Sequence, residues 1–329
     1  MAVSIPSIKF AGLPTTSFGV LAEKFLRAVG LPLAGIGMFL LVWHLGASNI
    51  ETSLGKFPGP AQVFTQLEGL VVEFQEEKQR EADFYDRQEK RNAEMLAKDP
   101  NYKTMIRDYP GKPMFFNQIF TSLKTVFTGF FLAALVAIPL GIAIGLSGPL
   151  YNAVNPIIQL FKPVSPLAWL PLVTIVVSSI YINVHPEVPK SYVTSAVTVM
   201  LCCLWPTVLN TAVGVASVSS DLNNVSKVLR LNWIRHVRMI VLPAAVPMIF
   251  TGLRLSLSTA WMVLIAAEML SQNPGLGKFV WDEFQNGSSD SLGRIMVAVL
   301  TIGAIGYLLD RGMLMLQRRV SWDKQAITR

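Results

Sequence analysis

Lys227, Arg230, Arg235, His236 and Arg238 crowd into twelve residues of an otherwise strongly apolar chain. A basic run of this kind offers positive charge to an acidic surface. It also offers apolar anchors, because Val225, Val228 and Leu229 share one helical face and Trp233, Ile234, Val237 and Ile240 another, at spacings of three and four. Such a helix either lies on lipid or is received by a partner protein. Two further ionisable groups, Arg254 and Glu268, stand inside an apolar run, where charged side chains pair, hold exposed carbonyls or face a cavity. Fourteen residues separate them, about 21 Å along a straight helix, so they do not pair within one helix. Arg254 therefore either ties down carbonyls freed by nearby prolines or, with Ser256, Ser258 and Trp261 close by in the sequence, faces a cavity.

Other chemistries find little support in the residue pattern. His44, His185 and His236 are scattered over different segments, and Cys202 and Cys203 are adjacent inside an apolar run, so no metal set or His-based catalytic site is expected. The phosphate-binding pattern G-x-x-x-x-G-K-[ST] does not occur. The stretch "GLGKF" at Gly275–Phe279 lacks the upstream Gly and the hydroxyl residue that phosphate and Mg²⁺ binding need. A membrane-embedded enzyme or assembly protein is the alternative of another class, with only Arg254 and Glu268 to speak for it.

These residues need elements to position them. With 52% hydrophobic and 15% charged residues, the chain departs from soluble composition. Apolar runs occur at Leu31–Ala47, Leu123–Leu146, Ala153–Ile182, Val193–Val215, Met248–Met269 and Ile295–Met315, and each has about the length of a membrane span. The fold class is thus an all-α polytopic membrane protein of about six transmembrane helices. The first run follows some thirty residues and no small-x-small cleavage pattern comes after it, so it is expected to stay as a span. Gly141-x-x-x-Gly145 is expected to let the second span pack closely on a neighbour.

Residues 48–116 form a charged insert between spans one and two, read as a water-exposed helix with i,i+4 pairs Glu76–Arg80, Asp83–Arg87 and Glu94–Lys98. From Ile50 to Phe116 there are 12 acidic and 10 basic residues, against 9 acidic and 18 basic elsewhere. The excess bases lie before span one (Lys9, Lys24, Arg27), between spans four and five, and at the C-terminus (Arg311, Arg318, Arg319, Lys324, Arg329). By the positive-inside tendency that side is cytoplasmic. The divisions expected are a cytoplasmic segment 1–30, a first span 31–47, the extracytoplasmic insert 48–116, a core 117–319 with a cytoplasmic loop at 219–243, and a cytoplasmic tail 320–329. Ser219, Ser220 and Asp221 are candidate N-caps for the loop helix, with Pro243 and Pro247 as stops before the next span.

Ile240-Val241-Leu242-Pro243, ten residues after Arg230, resembles the end of the coupling motif of binding-protein-dependent ABC importer permeases: Glu-Ala-Ala, three residues, Gly, nine residues, Ile-x-Leu-Pro. The start departs from that pattern, with Asn224, Val225 and Ser226 at the Glu-Ala-Ala positions and Arg230 at the Gly position. Asn232 is expected to supply the left-handed residue instead. Lys162-Pro163-Val164-Ser165-Pro166-Leu167-Ala168-Trp169-Leu170-Pro171, Leu204–Thr211, Thr251–Trp261 through Ala267-Glu268-Met269, and Asn273–Gly277 also resemble this family, most of all its nitrate, nitrite, cyanate and bicarbonate branch. Ser258 stands where Gly is usual.

The resemblance implies an inner-membrane, multi-pass permease with both termini cytoplasmic, importing a small inorganic anion, nitrate foremost, with taurine or an alkanesulfonate as the other cargo. It implies a second permease copy, most simply a homodimer, two cytoplasmic ATPase subunits that carry ATP and Mg²⁺, an extracytoplasmic solute-binding protein and surrounding lipid. No cofactor, metal or nucleic acid is expected on this chain. The ATPase-coupling residues would be Asp221, Asn224, Val225, Lys227, Val228, Arg230, Asn232, Trp233, Arg235 and Arg238. The translocation pathway would use Arg254, Ser256, Ser258, Trp261, Ser165 and Trp169.

Overall fold

The computed structural model describes residues 23, 26–52, 55–99, 102–181 and 188–320. Lys9, Lys24, His185, Lys324, Arg329, most of the N-terminal segment and nearly all of the tail lie outside them. The chain divides into two units, Met1–Thr65 and Gln66–Arg329. The first holds a π-helical turn, Leu26–Gly30, running into α1 (Leu31–Ser48), followed by a two-residue ribbon in which Glu51 pairs with Lys56 and Thr52 with Gly55. Trp43 Nε1 donates to Pro58 O at 3.2 Å and so fixes where the chain leaves α1.

The insert is one long helix, α2 (Pro60–Lys98), followed by an extended return. Arg80 pairs with Glu76 at 3.3 Å as its spacing predicts, whereas Asp83 accepts from Gln79 at 3.2 Å and Lys90 pairs with Asp86 at 2.6 Å. The return is stitched to the helix by side chains. Gln88 donates to Arg107 O at 2.9 Å and accepts from Arg107 N at 2.8 Å, satisfying both backbone groups of a residue outside any sheet or helix. Tyr109 donates to Glu77 at 2.9 Å, and that bond raises the phenol above its ordinary pKa. Within the same unit, Arg294 bonds Glu73 of α2 and, at 3.4 Å, Glu283, while Gln66 donates to Asp290 at 2.9 Å.

The core follows as α3 (Phe115–Leu146), α4 (Gly148–Phe161), α5 (Pro166–Ile180), α6 (Lys190–Ala216), α7 (Ser220–Val228), α8 (Trp233–His236), a π turn (Val237–Val241), α9 (Leu242–Ser271), α10 (Leu276–Asn286) and α11 (Ser291–Val320). Among the described residues five helices have the length and apolar character of a membrane span, and a bent pair makes the sixth. That pair falls in the run Ala153–Ile182, which is not one continuous helix but is broken into α4 and α5, meeting at 99°. The physical reason is local. Pro163 and Pro166 give no N–H, and Ser165, which precedes Pro166, takes the extended backbone (ψ 143°) that a following proline imposes.

The prolines after the loop do not act as stops. Helical structure runs without a gap from Trp233 to Ser271, with Pro243 in the first turn of α9, where no N–H is needed, and Pro247 inside the helix. The five-residue register of the π turn, in which Leu242 N donates to Val237 O, carries the chain past Pro243. The carbonyl of Pro247 accepts from Thr251 Oγ1 at 3.0 Å.

The heart of the core is α6, packed on α3 along one side and on α9 along another. Small residues set the spacing, as the Gly141/Gly145 pattern predicts. A Cβ at Gly141 would lie 2.6 Å from Thr211 Cβ and 2.8 Å from Val208 O, and one at Gly145 would lie 2.6 Å from Ala212 O. Backbones this close allow tight packing with no hydrophobic drive between helices. Gly148, by contrast, has nothing within 4 Å of a Cβ. Gly145→Val is therefore expected to cost about 1–3 kcal/mol by overpacking, and Gly148→Ala to be neutral. Thermal unfolding of the purified protein in detergent checks the contrast, and equal behaviour of the two variants would count against the α3–α6 contact.

Candidate functional site

The basic loop folds as α7, a tight turn, α8 and the π turn. Ser219 caps α7 by accepting from Leu222 N at 3.4 Å, and Asn232 caps α8 by accepting from Arg235 N at 3.0 Å. The turn is held by Leu231 N to Ser226 O at 3.1 Å, and by His236 Nδ1 against Ser226 Oγ at 2.8 Å. The left-handed residue is Arg230 itself, at φ 47°, and not Asn232, which has the φ of −68° of an N-cap. The motif's geometry is thus kept at the position where the family's Gly would stand, and an L side chain bears the strain.

Every coupling residue expected from the sequence, Asp221, Asn224, Val225, Lys227, Val228, Arg230, Asn232, Trp233, Arg235 and Arg238, is exposed. Val228 at 81%, Trp233 at 66% and Ile234 at 67% exposure stand beside the bases, so the loop presents apolar anchors within a ring of positive charge.

The residues expected along a pathway fall into separate places. Arg254, Ser258 and Trp261 meet in a small cleft of about 80 Å³ with Gly306, Leu309 and Asp310. Arg254 makes a two-pronged ion pair with Asp310, Nε to Oδ1 at 2.5 Å and Nη2 to Oδ2 at 2.8 Å. Its partner is thus a carboxylate of α11 rather than backbone carbonyls. Asp310 was legible as an acid inside the last apolar run, but only the fold shows that it faces Arg254. Trp261 Nε1 donates to Ile302 O at 3.0 Å, fixing α9 to α11 beside the pair.

Ser256 is buried against α6, where Pro206 breaks the helical ladder. Its hydroxyl donates to Cys203 O at 2.5 Å and accepts from Thr207 N at 3.2 Å, bonding the two backbone groups on either side of the proline. Ser165 and Trp169 belong to the bend between α4 and α5, and Ser165 caps α5 by accepting from Leu167 N at 3.3 Å.

Glu268 is fully buried, far from Arg254 in sequence and with different partners. Ser122 Oγ lies 2.8 and 3.0 Å from its two oxygens, Gly277 N donates to it at 3.1 Å and Asn273 Nδ2 at 3.5 Å. Ser122 in turn accepts from Leu276 N at 2.8 Å, and Asn273 also donates to Thr125 Oγ1 at 3.2 Å. A Cβ at Gly275 would overlap the Glu268 carboxylate, and one at Gly277 would overlap Ile265 O. The "NPGLG" stretch therefore wraps the carboxylate. Arg254 and Glu268 do not converge, and among the described residues no group of three or more His, Cys, Asp or Glu is placed to hold a metal.

The turn at Arg230 yields a direct expectation. Arg230→Gly should stabilise the loop by up to about 1 kcal/mol, because Gly takes this backbone without steric cost. Arg230→Val should destabilise it by about 1–3 kcal/mol. Amide hydrogen exchange over residues 220–236 reads the difference; protection that falls in both variants would place the strain elsewhere.

Comparison with known proteins agrees with this arrangement. Residues 129–322 match the family described as binding-protein-dependent transport system inner membrane component. The chain is 35% identical over 295 residues to the bicarbonate transport system permease protein CmpB of Synechococcus elongatus, covering 89% of this chain and 90% of that one. It is 36% identical over 314 residues to the nitrate import permease protein NrtB of Leptolyngbya laminosa, covering 95% of each. In fold it is similar to the inward-facing MetNI methionine ABC transporter, with a TM-score of 0.54 at 14% identity, over 62% of this chain and 95% of that one. With its helical core, its exposed basic loop and relatives that span nearly its whole length, the chain belongs to the inner-membrane permease family of binding-protein-dependent ABC transport systems, as a transport subunit and not an enzyme.

Proposed function

We propose that this chain forms the translocation pathway of an ATP-driven importer for a small inorganic anion, with nitrate as the cargo. The observation that carries the reading is that two relatives covering about nine-tenths or more of the chain are named for nitrate and for bicarbonate. Bicarbonate is the second reading, supported by the first of these relatives. Both are compact planar oxyanions, so one pathway chemistry serves either.

In this reading two copies of the chain make the pore, with both termini and the loop 219–243 on the cytoplasmic side. The insert 48–116 is extracytoplasmic, where the binding protein docks. ATP and Mg²⁺ belong to two ATPase subunits, and this chain binds no cofactor. The exposed apolar and basic residues of α7 and α8 suit a groove with acidic rims. Because helical structure is continuous from Trp233 to Ser271, a displacement of α8 passes into α9 without a hinge, and from α9 into α6 through the bonds of Ser256. Arg254 contributes a fixed positive charge to the pathway, held in orientation by Asp310.

The test is uptake by the complete importer, with ATPases and binding protein, in proteoliposomes. ATP-dependent accumulation of nitrate or bicarbonate, and not of taurine, is expected; uptake of taurine alone would overturn the reading. Within the same assay, Arg254→Leu should impair assembly by leaving Asp310 unpaired, whereas Arg254→Leu with Asp310→Leu should assemble again. Restored assembly with uptake at least about tenfold down, as loss of a charge-assisted contact to the anion implies, supports the pathway role. Restored uptake makes the pair purely structural.

A further inference from the structure

Two hydrogen-bond donors at the bend between α4 and α5 have nothing to donate to. Trp169 stands one turn into α5, and Trp205 is the sixteenth of the 27 residues of α6, near the middle of that span. Both Nε1 atoms are buried and neither has an acceptor among the described residues. The two indoles meet on one ring. Phe161, the last residue of α4, stacks on Trp205 with centroids 6.3 Å apart and planes at 7°, and lies 5.7 Å from Trp169 at 35°.

An indole nitrogen only donates, so what completes this site must accept. Leaving buried donors unmade is unfavourable, and two on one aromatic cluster mark a place kept for an acceptor. The two segments that carry the indoles hold basic residues and no acidic ones. Neither Gly148–Ile180 nor Lys190–Ala216 contains an Asp or Glu; their charged residues are Lys162, in the bend itself, and Lys190. The amino end of α5 adds partial positive charge at the same bend. A negative, acceptor-only, flat ligand meets each of these conditions. A charge at mid-membrane depth is also where a permease most needs to replace lost hydration.

We propose that Trp169 and Trp205, against Phe161 and with Lys162 at the bend, form a transient site for a small oxyanion within the permease. This rests on the anion reading above and gives it a place. Access to the site is coupled to the loop, because Ser256 of α9 bonds Cys203 O and Thr207 N, the backbone groups that bracket Trp205. When α9 moves, the turn that carries Trp205 moves with it.

The test uses the assembled permease–ATPase complex. Sodium nitrate, with sodium gluconate as control, is added in the absence of binding protein while the indole N–H band is followed by ultraviolet resonance Raman spectroscopy. A nitrate-dependent shift that weakens in Trp169→Phe and in Trp205→Phe and vanishes in the double variant is expected. Phe keeps an aromatic ring and removes the donor together with the five-membered part of the indole. In proteoliposomes the double variant should lower uptake per assembled complex about tenfold or more, the size expected for lost hydrogen bonds to a charged group.

Three results would overturn the site: no shift in the unaltered protein, double-variant uptake within about twofold of it, or loss of the second permease copy from the double variant, which would assign the donors to the subunit interface. Failure of the unaltered importer to take up nitrate or bicarbonate is a separate result. It would reject the anion reading itself, and the site with it.

Discussion

The buried carboxylate of Glu268 is the interaction on which the rest of the core depends. It lies at the far end of α9 from the loop and binds three segments at once: Ser122 of α3, the turn at Asn273, and the first residues of α10. A carboxylate taken out of water is tolerated only with such partners, and here the partners come from segments up to 146 residues apart. The constraint then spreads. Gly275 and Gly277 are required because the chain passes too close to Glu268 and Ile265 for any side chain. The start of α10 is fixed in register, which brings Phe279 against Phe115 at 4.9 Å. One end of the α3–α6–α9 group is in this way closed.

At the other end α9 is packed by apolar contact, with Val241, Ala245 and Ile249 buried against Val215 of α6, and the loop before it stands out from that cluster. α7 and α8 are exposed, Arg230 holds a strained backbone, and the π turn joins them to α9. A helix held by polar bonds at one end and by apolar packing at the other can pass on, as a unit, a push delivered to the exposed loop. Its contacts along the way are small residues and inserted hydroxyls, Gly252 against Pro206, Thr207 and Asn210, and Ser256 within the broken ladder of α6. Such contacts favour two discrete packings over gradual deformation, and this is what a transporter needs to alternate between states.

Much of this was legible in the sequence. The apolar runs, the cap at Ser219, the close packing at Gly141 and Gly145, and the basic loop follow from local composition and spacing, and the Ile240-x-Leu242-Pro243 ending from its resemblance to the coupling motif. What escaped depends on distance in space. The third run is apolar throughout, so hydropathy does not mark its 99° bend, although the two prolines and the serine between them do hold the signal. Local preference pointed to Asn232 for the left-handed position, but the bonds of Ser226 to Leu231 and His236 place the turn two residues earlier. Arg254 announced that it needed a partner, and the partner, Asp310, lies 56 residues away on another helix.

In the proposed reading, α9 transmits the motion of the loop only because Glu268 anchors its other end. The most direct measurement is the amount of anion imported per ATP hydrolysed in proteoliposomes, compared between the unaltered importer and Glu268→Ala, a ratio that does not depend on how much complex assembles. The variant is expected to keep its ATPases and their hydrolysis while imported anion per ATP falls at least about tenfold, the scale set by leaving buried donors unmatched. An unchanged ratio would contradict it.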